Sequence, residues 1–167
     1  MATVKSTQIT NLDASPVVRE PAHRDGAMLR QNHSAAVISA TIPSGDIVHM
    51  VRVPSNARVH DVLTSAADAT TALAADVGLY SKNADGTYTV VDADFFASAL
   101  DYALGPYNNF SLVRESGVYT IANTEKMLWE ALGLTVDPKI DYFVSLTITT
   151  TGNGGPTSIN LTVEWTK

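Results

Sequence analysis

The chain has no cysteine, which excludes disulfides, thiolate nucleophiles and cysteine-built zinc sites together. Charge is sparse too: 17% of its 167 residues are charged, against 45% hydrophobic. That balance excludes a disordered polyelectrolyte and suits a surface partly occupied by partners. Cations are the scarcer sign, eleven against seventeen acids for a formal net charge of −6. Nucleic-acid binding through a broad basic face is therefore not expected. No apolar run approaches the roughly 20 residues of a membrane span, and the opening MATVKSTQIT has no apolar centre of a secretory leader. These features predict a soluble protein, intracellular or carried on a particle, with no membrane partner.

Local signatures of chemistry are also missing. The histidines at 23, 33, 49 and 60 form no i, i+4 pair with an intervening glutamate, and no G-x-S-x-G elbow or G-x-G-x-x-G fingerprint occurs. Asp92-Ala93-Asp94 lacks the oxygen ladder and closing glutamate of a calcium loop. A helix cap at Asp92, with Asp94 favoured by the helix dipole, accounts for the pair more simply. No metal, cofactor or enzymatic activity is expected.

What is present reads as β-structure behind an arm. Residues 1–33 carry Pro16 and Pro21, follow no sustained period and hold a net +1, leaving −7 on residues 34–167. They are expected to form an extended N-terminal arm, and residues 34–167 a β-sandwich body. Candidate strands are 35–41, 46–53, 57–65, 75–80 and 87–91, with a weaker one at 110–114. In 140–149, Ile140, Tyr142, Val144, Leu146 and Ile148 share a face. In 158–166, Ile159, Leu161, Val163 and Trp165 do the same. The two segments, joined through the glycine-rich 151–156, are expected to form one long hairpin. Two short helical inserts are expected, one beginning at Asp92 and one capped by Asn123 or Thr124 and ending before Gly133. The fold class predicted is an all-β antiparallel sandwich, jelly-roll-like.

The stretch IVHMVRVPSNARV, 47–59, sets His49, Arg52 and Arg58 among aliphatics. Uninterrupted alternation puts Ile47, His49, Val51 and Val53 on one face and Val48, Met50 and Arg52 on the other. Both faces are then substantially apolar, so the outer one is expected to be covered by an insert or another chain.

Three stretches, AAVISATIPSGDIVHMVRVPSNARV, ADVGLYSKNADGTYTVVDADFFASALDYA and ESGVYTIANTEKMLWEALGL, together with the final β segments, resemble the head decoration, or cement, proteins of tailed bacteriophages. The resemblance runs along nearly the whole chain but carries no catalytic signature. It implies a β-sandwich on the outer surface of the phage head, assembled as a homodimer or homotrimer and tying neighbouring major capsid protein subunits together. On that reading the interface is expected at Val17, Val18, Met28 and Leu29 in the arm and at Val48, Met50 and Arg52 in the body. The alternative is a carbohydrate- or receptor-binding sandwich displaying Trp129, Tyr102 or Tyr107. A hydrolase would need His49 or His60 beside a serine and an aspartate.

Overall fold

A computed structural model describes residues 14–16, 28–69, 72–150 and 156–167 of the chain. Among these lie eight strands: β1 (Arg30–Ile38), β2 (Ile47–Pro54), β3 (Arg58–Ala66), β4 (Ala74–Lys82), β5 (Tyr88–Asp101), β6 (Tyr107–Ser111), β7 (Asp141–Thr150) and β8 (Thr157–Thr166). They form two antiparallel four-stranded sheets, ordered β1-β8-β3-β6 and β2-β7-β4-β5. The pairs β1–β8, β2–β7, β3–β6 and β4–β5 are nested, each inside the one before.

The inner faces of both sheets feed one apolar cluster. Val144, Leu146 and Ile148 of β7, and Ile159, Leu161 and Val163 of β8, are essentially without solvent contact. Each such aliphatic side chain is worth about 1.5–3 kcal/mol on burial. The alternation of β7 and β8 was thus read on the correct faces from Tyr142 onward, whereas Ile140, expected on the same face, precedes β7 and is exposed. The pairing of the two strands is corrected: β7 lies in one sheet and β8 in the other, so the two do not form a hairpin. Period-2 patterning fixes which side chains face inward and says nothing about which strand lies alongside.

Three further expectations are corrected. β1 begins at Arg30, inside the segment read as arm, and pairs with β8 from Arg30↔Trp165 onward. The helix expected from Asp92 is strand: β5 continues to Asp101, with register shifts opposite Val77 and Leu79. Its irregular stretch is held by side chains from elsewhere. Asp76 Oδ1 accepts the Ala99 N–H at 2.6 Å and Glu115 Oε2 accepts the Ser98 N–H at 2.7 Å. These carboxylates satisfy donors that the displaced ladder leaves over. The later helix, α1, is one turn (Leu128–Ala131) with Met127 at its N-terminus, three to four residues past the expected cap. Glu130 accepts the Met127 N–H at 2.8 Å, and Gly133, at φ +74°, takes the left-handed position just beyond the end. Leu128 plugs the core, and its N–H donates to the Ala57 carbonyl.

Candidate functional site

β2 is built around a fault that its sequence conceals. Its register against β7 runs His49↔Ser145 and then Val51↔Val144, which leaves Met50 as the extra residue of a β-bulge. The bulge inverts the alternation. Val48, opposite Leu146, joins Val51 and Val53 on the inner side, while Ile47, His49 and Arg52, opposite Thr147, Ser145 and Phe143, face outward. Val48 and Met50 pack against the core, so their expected place on the outer face is corrected. Arg52 is outside as expected. Met28 and Leu29 are strongly exposed, at 76% and 55%. Val17 and Val18 lie outside the described residues.

The outer face of β2-β7-β4-β5 is partly covered by β5 itself, whose displaced stretch rises over β4. Gly78 of β4 faces the displaced part of β5, and a Cβ there would run into the Asp92 and Ala93 backbone. Only glycine admits so close an approach. Tyr88, at the start of β5, lies over the sheet. It stacks on His49 of the opposite edge strand at 3.8 Å between ring centroids and meets Phe143 edge-on at 5.1 Å. Tyr80 closes on His49 at 5.3 Å and shares a 2.6 Å hydrogen bond with Thr147. Aromatic contacts of this kind contribute about 0.5–1.5 kcal/mol each beyond buried area. The half-buried His49 imidazole has its pKa pushed down by desolvation.

Around this aromatic cluster stands a rim of cations. The Lys82 ammonium sits 5.7 Å from the Tyr88 ring centroid, and Arg52 meets Asp141 at 3.4 Å. Both line a cleft of about 480 Å³ together with Lys139, over a floor of Ala84, Ile140 and Phe143. Lys139 is presented by a strained turn at φ +54°. Asp137 fixes that turn by accepting the Lys139 N–H at 2.9 Å and the hydroxyl of buried Ser55. Those two bonds hold the Asp137 carboxyl below its usual pKa. Sequence reading found Arg52 and missed Lys82, Tyr88, Lys139 and Phe143, whose convergence depends on strand order alone.

The residues named for other chemistries are not brought together. Ser145 Oγ lies 2.8 Å from His49 Nδ1, but Ser145 is fully buried and no carboxylate among the described residues is hydrogen-bonded to His49. His60 pairs with the Thr166 hydroxyl at 2.9 Å. Arg58 donates to the Glu125 carbonyl at 2.9 Å, bracing the loop before α1. Of the aromatics named for glycan stacking, Tyr102 is buried, its hydroxyl pushed up to about 12 by desolvation, and Tyr107 packs against it at 5.5 Å. The Trp129 N–H donates to the Met127 sulfur. Trp165 is buried in the core, with the Arg30 guanidinium 5.2 Å from its ring centroid.

No protein-family model matches the chain, and no curated protein matches its sequence. Solved structures do. A chain of the cyanophage Pam1 capsid asymmetric unit is similar over 89% of this chain and 91% of its own, at 15% identity and TM-score 0.53. A chain of the capsid of Ralstonia phage GP4 is similar over 86% of this chain and 87% of its own, at 15% identity and TM-score 0.55. The likeness is one of fold, and it takes in both sheets.

Proposed function

We propose that this protein is a structural component of a bacteriophage head, bound to the outside of the capsid, where it bridges neighbouring major capsid protein subunits and stabilises the shell without chemistry of its own. The observation that carries the reading is the fold shared along most of the chain with chains of two phage capsids. The nested strand pairs support a jelly-roll-type sandwich, the architecture that the resemblance to cement proteins implies. Met28 and Leu29, just before β1, are strongly exposed apolar side chains and suit the arm as one grip. As a dimer or trimer spanning several capsid subunits, the protein gains attachment by effective concentration, so that individually weak contacts sum to a firm hold.

The test is co-sedimentation of the purified protein with heads assembled without it. Saturable binding is expected, together with a higher temperature of DNA release from decorated heads. Met28→Asp with Leu29→Asp is expected to weaken attachment while leaving the melting of the body unchanged. Absence of binding by the unaltered protein contradicts the reading.

A further inference from the structure

We infer that the cleft between Arg52, Lys82 and Lys139 is the seat of an acidic, partly apolar peptide segment of the partner. The inference rests on the head-attachment reading for the partner's identity, and on the cleft itself for the chemistry. Three of the eleven cations of a chain with net charge −6 converge on this one cleft, although they come from β2, the end of β4 and the turn before β7. A single carboxylate, Asp141, lines it with them. Its 3.4 Å contact with Arg52 joins groups that are 43% and 69% exposed. Such a surface pair is weak and can be exchanged for an incoming carboxylate.

Two of the cations are also positioned by their surroundings, Lys82 through its side chain and Lys139 through its backbone. Lys82 is set by Tyr88, which His49 and Phe143 fix in turn. Lys139 occupies a left-handed backbone position that disfavours any side chain, and a second cleft of about 220 Å³, lined by Pro54, Ser55, Asn56 and Asp137, opens on its other side. Lys139 therefore stands on a ridge between two recesses. Strain of this kind persists where the surroundings enforce it and clusters at binding positions.

The lining decides the class of ligand. Ala84, Ile140 and Phe143 give an apolar floor, so the occupant must offer apolar side chains as well as charge. Carboxylates alternating with apolar residues fit both parts.

The test uses the full chain, isotope-labelled, titrated at low salt with a blocked hexapeptide of alternating Glu and Leu, beside a Lys-Leu control. Saturable amide shifts confined to Arg52, 82–84 and 139–143 are expected with the acidic peptide, weakening with added salt. They are expected to vanish in Lys82→Glu with Lys139→Glu, and in Lys82→Glu with Lys139→Gly, which removes the second charge without burdening the turn. Absent or scattered shifts, or shifts retained in both variants, overturn the inference. The same variants are then sedimented with heads, where about tenfold weaker binding is expected. Unchanged head binding overturns the assignment of the cleft to the head. If the unaltered protein binds no heads, the functional reading fails and the peptide titration alone decides the cleft.

Discussion

The two outer faces of this molecule follow the same backbone rules and differ in nearly every other respect. On β1-β8-β3-β6, the outward residues of β1 and β8 are Gln31, His33, Ala35 and Val37 opposite Glu164, Thr162, Asn160 and Ser158. They form a mostly polar surface joined by short bonds such as Gln31 to Glu164 at 3.1 Å. On β2-β7-β4-β5, the outward residues are aromatic at the centre and cationic at the margin, and the chain folds back over them. The first is an ordinary solvated face. The second is organised, with rings that fix where charges stand. The core is shared by both sheets and the cations at the margin of the second face lie outside it, which is why the inference above seats a partner there.

The comparison can be broken most severely at Gly78. Gly78→Ala forces a Cβ into the β5 backbone, which has no flexible side chain to yield. A loss of about 3 kcal/mol or more is expected in urea denaturation. Ala35→Ser, on the polar face, is expected to stay within about 0.5 kcal/mol. Next is Tyr88→Ala, which removes the stack on His49 and the edge contact with Phe143. It should cost about 2 kcal/mol and release Lys82, whereas His33→Ala on the other face should be nearly silent. Lys139→Gly sharpens the contrast in the opposite direction. Relief of a left-handed backbone, about 1–2 kcal/mol, exceeds the added chain entropy of glycine, about 0.5–1 kcal/mol. A net gain of about 0.5 kcal/mol, read as a slightly raised melting temperature, is expected alongside weaker head binding.

The smallest effect is with pH. The folded protein holds the His49 pKa below its ordinary 6.5 by desolvation, so the unfolded chain takes up the proton first. The contribution is fully present above pH 6.5 and is lost as pH falls from there through the folded value. Thermal melts between pH 7 and 5 should show this decline, and His49→Gln should flatten that part of it. A decline that persists unaltered in His49→Gln would mean that other groups produce it.

How much of this was legible in the sequence differs between the same two regions. β7 and β8 alternate without interruption, so their inner faces could be read residue by residue. β2 alternates just as plainly, yet one extra residue at Met50 inverts half of it, and a bulge leaves no mark in a run of aliphatics. The segment 92–101, DADFFASALD with its alanines, has helical composition. It is kept extended by Asp76 and Glu115, contacts that no local window contains. The site was least legible of all. Arg52 stood out, but Lys82 and Lys139 lie 57 positions apart in the chain and meet only because β4 and β7 are neighbours.

The most direct test of the account is sedimentation of heads with three forms of the full-length protein: unaltered, reversed at Lys82 and Lys139 to Glu, and altered on the polar face by His33→Glu with Thr162→Glu. The account predicts saturable binding by the first and third and about tenfold weaker binding by the second. Equal binding by all three, or a loss confined to the polar-face variant, would contradict it.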